Sequence, residues 1–169
     1  MSESQQFIQG EFNRKIDERF RLTLPKEFAE TFKPKSGSCV IAKERPGCLS
    51  LWEEDGWKEK QDKKVEFIQQ KMAMPGQLEH RTMDLQRFGR LLSTHHRLIQ
   101  LKERSRLMLP EGFREFLAVE PGGEVIIVGA ILCIEIWHPA KWINYLESDM
   151  QEFDALFNSL LDSKPYQRN

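Results

Sequence analysis

Hydrophobic and polar positions alternate two at a time near the start of the chain and again in its second half. Leu22 and Leu24 alternate with Arg21 and Thr23, and Leu107 and Leu109 alternate with Arg106 and Met108, so each stretch predicts a short strand with leucines facing inward and arginine facing outward. Each is preceded by a charged turn, "DERF" at 17–20 and "KERS" at 102–105, and before the first turn a strand is predicted near 12–16. Each is followed by a proline, Pro25 or Pro110, placed where proline suits the first turn of a helix. The helices KEFAETF and EGFREFL come next, with aromatic residues suited to packing back on a sheet. Two runs of strand composition follow, CVIAKERPGCLSLW at 39–52 and EVIIVGAILCIEIW at 124–137. Arg45-Pro46-Gly47 predicts a hairpin turn in the first, and Gly129 marks one in the second. The second run is apolar enough to predict strands buried on both faces, by the partner repeat or by another subunit.

These parallels are one internal repeat. At an offset of 85 positions, segment 14–57 overlays 99–142 without a gap. Glu18, Arg19, Arg21, Leu22, Leu24, Pro25 and Phe28 fall on Glu103, Arg104, Arg106, Leu107, Leu109, Pro110 and Phe113. Gly37, Val40, Ile41, Cys48, Trp52 and Trp57 then fall on Gly122, Val125, Ile126, Cys133, Trp137 and Trp142, which uses all four tryptophans of the chain. Identities confined to apolar, turn and tryptophan positions mark a duplication. A unit of about 50 residues buries too little surface to be stable alone, so the two copies should bury their hairpins on one another. The organisation expected is a first repeat at 7–57, a helical connector at 58–92, a second repeat at 93–143, and a C-terminal helix and tail at 144–169. The connector is predicted to break at Met74-Pro75-Gly76, with Leu78, Leu85, Phe88 and Leu92 on one stripe of its second half, and the tail to fray after Ser163.

Charge sharpens the picture. The net charge of −1 argues against a uniformly basic nucleic-acid coat, yet segment 14–26 carries five bases against two acids and segment 97–111 four against two. Both copies of the turn are basic islands, balanced by the acidic segment from 144 onward. Arg14, Lys15, Arg19 and Arg21, with Arg97, Lys102, Arg104 and Arg106, are the candidate DNA contacts, while a solvated edge that discourages aggregation is the plainer reading of the same charges. Asp17 is expected to organise the turn, through its backbone N–H groups or by orienting Arg21, and to have no catalytic duty. The tryptophans read as packing anchors and Cys48 and Cys133 as small core residues.

No chemistry beyond binding is expected. The chain has no glycine-rich phosphate loop, no nucleophile within a motif and no carboxylate pair set apart by its surroundings, so the expectation is a protein that is not an enzyme and uses no cofactor. His95-His96 has no cysteine or carboxylate at ligand spacing, so no metal is expected. Three cysteines without a CxxC pair suit a reducing compartment, and the start MSESQQFIQG lacks the form of a signal peptide, so a cytoplasmic protein is expected.

The duplicated order of strand, charged turn, strand, proline, helix, hairpin and tryptophan resembles the MraZ family of bacterial transcription regulators, whose two repeats belong to the AbrB-type swapped-hairpin fold. The family's Asp-x-x-x-Arg signature is matched by Asp17-Glu18-Arg19-Phe20-Arg21 followed by Leu22-Thr23-Leu24-Pro25, whereas the second repeat has Lys102 in place of the aspartate. The resemblance implies an α+β fold of two tandem AbrB-like swapped-hairpin units forming a β-barrel-like core with flanking helices. It also implies a homo-oligomeric ring that binds short direct repeats in double-stranded DNA upstream of the division and cell-wall gene cluster, hence a nucleoid-associated protein with no membrane partner. Phe20 and Ser105 stand where the family usually has glycine. If that position needs a positive φ, a side chain costs about 1 kcal/mol or more and the turn is expected to be reshaped. Two alternatives stand beside DNA-sequence recognition: a ring-forming scaffold of the same fold with reduced DNA specificity, and a swapped-hairpin protein that holds a protein partner through its tail.

Overall fold

The computed structural model describes residues 7–162, so the expected fraying after Ser163 lies outside the described residues. β1 (Glu11–Lys15) runs through a turn into β2 (Arg21–Thr23), and α1 (Lys26–Thr31) follows with Pro25 at its N-cap. β3 (Ser38–Arg45) and β4 (Cys48–Glu53) form a hairpin closed at Pro46-Gly47, where Gly47 has φ 83°. α2 (Glu54–Ala73) ends at the predicted break, and a single 3-10 turn at Glu79–Arg81 leads into α3 (Thr82–His95). The same series then recurs. β5 (His96–Gln100) and β6 (Arg106–Met108) flank a second turn, followed by α4 (Phe113–Leu117), the hairpin β7 (Glu124–Gly129) and β8 (Ile134–Trp137), and α5 (Pro139–Met150). α6 (Phe153–Leu161) ends the described chain.

The strands exchange partners between repeats. Six form one antiparallel sheet in the order β1-β7-β8-β4-β3-β5, so the first strand of each repeat pairs with the hairpin of the other. β4 and β8 meet at the centre, and the order reads the same from either end once the repeats are interchanged. In this pseudo-twofold arrangement each hairpin lacks an outer strand until the other repeat supplies it. β2 and β6 form a separate two-stranded ribbon, with β2 beside β1 and β6 beside β5. The fold is α+β. Its expected barrel-like core is not closed by hydrogen bonds, because the sheet ends at β1 and β5 and the ribbon spans the two ends without joining their ladders.

The main core lies under the ribbon. Leu22, Leu24, Leu107 and Leu109 point inward from it, and Phe28, Phe32, Phe113 and Leu117 come from α1 and the α4 region. Ile41, Leu49, Leu51, Ile127, Ile134 and Ile136 complete the layer from the sheet. Burying each such side chain stabilises the fold by about 1.5–3 kcal/mol. On the opposite sheet face Val40, Ala42, Trp52, Trp57 and Cys133 form a smaller cluster. The tryptophans pack pairwise within repeats, Trp52 with Trp57 at 6.1 Å and Trp137 with Trp142 at 5.2 Å between ring centroids.

Two details of the second hairpin bear on expectation, the first leaving burial by another subunit open and the second a correction. Val125 and Ile127 are buried but Ile126 and Val128 only half-buried, so one face of β7 is partly open in the single chain. Gly129 is not in the turn: it is the last residue of β7, opposite Ile134, and the chain reverses beyond it. A Cβ there would lie 2.5 Å from the Ile8 carbonyl oxygen, so glycine is required by the N-terminal segment crossing against it, where Gly129 N–H also donates to Gly10 O at 2.9 Å.

Candidate nucleic-acid interface

Alternation along β2 and β6 decides what the ribbon shows to solvent. Arg21 stands opposite Met108 and Thr23 opposite Arg106, with Leu22 and Leu107 paired between them and fully buried. Arg21, Thr23, Arg106 and Met108 therefore share the outer face. The pairing continues past the strands, because Leu24 N–H donates to Ser105 O at 3.0 Å and Leu109 N–H donates to Phe20 O at 2.9 Å. Each charged turn thus packs against the end of the other repeat's strand, and the two turns sit at opposite ends of the ribbon. A shallow cleft of about 350 Å³ gathers Arg21, Gln100, Lys102, Arg106 and Met108 along it.

The turns are built differently. In the first, the Asp17 carboxylate accepts hydrogen bonds from the backbone N–H groups of Arg19 and Arg21 through Oδ1, both at 2.9 Å, and from Arg21 Nε through Oδ2 at 2.7 Å. The Arg21 backbone N–H, then that of Arg19 and the Arg21 guanidinium, hold the Asp17 carboxyl below its ordinary pKa. Arg21 is half-buried and fixed in direction, while Arg19 projects into solvent. In the second turn, Lys102 has no carboxylate to offer. Its backbone is closed by Lys102 N–H donating to Arg106 O at 2.8 Å, and Lys102, Arg104 and Arg106 are exposed and take part in no ion pair among the described residues.

Both turns need a positive φ where a glycine is usual. Phe20 has φ 57° and Ser105 φ 54°, so the first turn accepts the strain, about 1–2 kcal/mol, instead of being reshaped. The second is reshaped, since Arg104 also has φ 60° and the segment Glu103–Ser105 forms a short kinked 3-10 turn. The Phe20 ring packs half-buried against the main core and does not extend as a tip. Arg114 covers it, its guanidinium carbon 4.3 Å from the ring centroid. Sequence reasoning missed Arg114. At the 85-residue offset it falls on Ala29, and a cation in one repeat where the other has a small apolar residue is the signal that marks it.

The remaining candidates are dispersed. Arg14 lies on β1 over the Phe12 ring at 5.6 Å and donates to Asn13 O at 2.8 Å, and Arg97 lies on β5 over Phe113 at 5.6 Å. Neither they nor exposed Lys15 line the ribbon cleft. His95 and His96 pack on Trp57, with ring centroids 5.6 and 5.0 Å away, and burial lowers the His95 pKa. Burial raises the thiol pKa of all three cysteines, with Cys39 and Cys133 pushed up to about 12.

Comparison with known proteins gives one consistent result. The family described as "MraZ protein, putative antitoxin-like" matches residues 93–163. The chain is 28 % identical over 153 residues to the transcriptional regulator MraZ of Moorella thermoacetica, covering 90 % of this chain and 96 % of that protein. It is 27 % identical over 153 residues to that of Syntrophomonas wolfei, with the same coverage of 90 % and 96 %. To that of Thermomicrobium roseum it is 27 % identical over 133 residues, 79 % of this chain and 82 % of that protein.

Proposed function

We propose, from its similarity to the MraZ family and from the geometry of its ribbon, that this chain is a sequence-specific DNA-binding transcriptional regulator. The observation that carries the reading is the outward face of the β2–β6 ribbon, where Arg21 and Arg106 stand diagonally across an antiparallel pair with Lys102 beside them. A two-stranded ribbon fits the major groove of B-form DNA, and arginine presents a planar fork suited to a guanine edge or to phosphate oxygens. Arg19 and Arg104 extend the basic surface at its two ends, and Arg14, Lys15 and Arg97 on the flanking strands add charge toward neighbouring phosphates.

The target class is the one the family resemblance carries, short direct repeats upstream of a division and cell-wall gene cluster. One ribbon offers few contacts, so the reading includes a homo-oligomeric ring that presents many ribbons to successive repeats and gains affinity by avidity. Exposed apolar side chains support self-association: Met83 and Leu91 on α3 and Phe153, Phe157 and Leu160 on α6 are 57–83 % exposed in the single chain. A protein acting there is cytoplasmic and nucleoid-associated. No helix among the described residues is long and apolar enough to cross a membrane.

Fluorescence anisotropy with the region upstream of the organism's own division cluster, against a scrambled duplex and across a salt series, tests the proposal. Binding to the upstream region that exceeds the scrambled duplex and falls steeply with salt is expected. Equal, weak binding to both by a well-folded oligomer would contradict it and favour the scaffold reading.

A further inference from the structure

We propose that Arg114, a residue of the second repeat, is a positioning residue for the basic turn of the first repeat and acts through the aromatic ring of Phe20. The proposal rests on the DNA reading above and assigns a role to a side chain that contacts no member of the candidate set directly. Phe20 occupies the left-handed region at φ 57°, which a phenylalanine leaves unless it is held. It is held twice. Its carbonyl accepts a hydrogen bond from Leu109 N–H at 2.9 Å, and its ring is covered by the Arg114 guanidinium, 4.3 Å from the centroid. Arg114 is fixed in turn, because its Nε donates to Leu109 O at 2.5 Å. Leu109 therefore joins both holds, bonding Phe20 through its N–H and Arg114 through its carbonyl.

The consequence for the interface follows from chain order. Phe20 lies between Arg19 and Arg21, the two residues whose backbone N–H groups converge on Asp17 Oδ1. Rotation of Phe20 out of the left-handed region would turn those N–H groups away from the carboxylate and release the Arg21 guanidinium from Oδ2. Arg114 thus governs the direction of Arg21 without itself facing the ribbon cleft, whose lining does not include it. The device is unilateral. Ala29 occupies the equivalent place in the first repeat, and Ser105 offers no ring to a cation.

The test uses the full chain as wild type, Arg114→Ala, Phe20→Gly and the double variant. Two readouts are taken, the ratio of affinities for upstream and scrambled DNA and the rate of tryptic cleavage after Arg19 under native conditions. Thermal melting by circular dichroism accompanies both. In the wild-type background, Arg114→Ala is expected to cut the affinity ratio by about tenfold and to raise cleavage after Arg19 by a similar factor, the scale of coupling between residues in contact. Binding to scrambled DNA should stay unchanged. In the Phe20→Gly background, where glycine takes the turn conformation without a ring, Arg114→Ala should change neither readout. A purely structural role would lower the melting temperature equally in both backgrounds and would show no such dependence on Phe20. Equal damage in both backgrounds, or unchanged cleavage after Arg19, would overturn the proposal. Should the wild type fail to distinguish the two DNAs, the DNA reading fails, and the proteolysis cycle still decides whether Arg114 holds the turn.

Discussion

The turn at 17–20 and the turn at 102–105 occupy equivalent places in a duplicated fold, yet only the first is organised by its own side chains. Both lead into a three-residue strand whose central leucine is fully buried, and both hold a non-glycine residue at a φ near 55°. What they share is what the common core enforces: the leucines must point inward, and the backbone must reverse in the space available. What they do not share lies outside the core. Asp17 ties two amides and the Arg21 guanidinium into one network, and Arg114 covers Phe20; the second turn has Lys102 and Ser105 and neither device. Duplication preserves backbone and packing because each copy buries itself against the other, while solvent-facing side chains are free to diverge. The first turn presents an arginine of fixed direction, suited to a base edge; the second presents exposed charges held by no ion pair among the described residues, suited to phosphates.

The largest effect addresses the part the two turns have in common. Leu22→Ala and Leu107→Ala should each destabilise the fold by about 2–5 kcal/mol, and by similar amounts, because the two leucines face each other across the ribbon in one core. Urea denaturation of both variants measures this. A large inequality would show that the core is less symmetric than the sheet.

The next is a transfer of chemistry between turns. Lys102→Asp should give the second turn an acceptor for Arg106 and lower tryptic cleavage after Arg104 severalfold, roughly the protection expected of one capping interaction. Unchanged cleavage would show that the two left-handed residues of that turn keep a carboxylate from its partners.

A smaller effect concerns pH. The Asp17 pKa is lowered on folding, chiefly by the Arg21 backbone N–H, so its stabilisation of the turn is fully present above the ordinary carboxylate pKa. It is lost as pH falls through the lowered folded value. The Arg21 Nε–H resonance, followed by NMR during acidification, should therefore keep its position through the ordinary carboxylate range and move only below it. The Arg106 resonance should show no step linked to a carboxylate of its own turn.

The smallest effect should be the same in both repeats. Cys48, the first residue of β4, and Cys133, immediately before β8, are matched in the repeat and buried, and burial raises both thiols, Cys133 to about 12. Neither carries appreciable thiolate near neutral pH, so alkylation by iodoacetamide should be slow for both until denaturant is added. Rapid labelling of one alone would reveal local opening of its hairpin.

Much of the fold was legible because the repeat writes its core positions twice. The alternation at Leu22 and Leu24 fixed which face of β2 carries Arg21, and the tryptophans read as packing anchors do pair within each repeat. The exchange of β1 and β5 between repeats is not in the periodicity, since a short edge strand fits either hairpin equally well; it enters through the family resemblance. Gly129 was misread because a glycine required by a crossing backbone looks the same in sequence as one required by a turn. In the interface, alternation foretold that Arg21 and Arg106 each face outward, and the pairing of β2 with β6 is what puts them on one face. Alternation could not foretell that Arg14 and Arg97 would lie over Phe12 and Phe113, outside the ribbon cleft. Arg114 lay beyond reach for a related reason: its partner Phe20 is 94 positions away, and only the folded ribbon brings Leu109 between them.

The most direct test of unequal turns is a salt series of DNA binding by Arg21→Ala and Arg106→Ala, each against upstream and scrambled duplexes. Arg21→Ala should lose about 1–3 kcal/mol of binding to the upstream DNA and most of its discrimination. Arg106→Ala should weaken binding to both duplexes alike and reduce the salt slope by about 1. Indistinguishable behaviour of the two variants would contradict the account, and would mean that the Asp17 network shapes the first turn without setting what it reads.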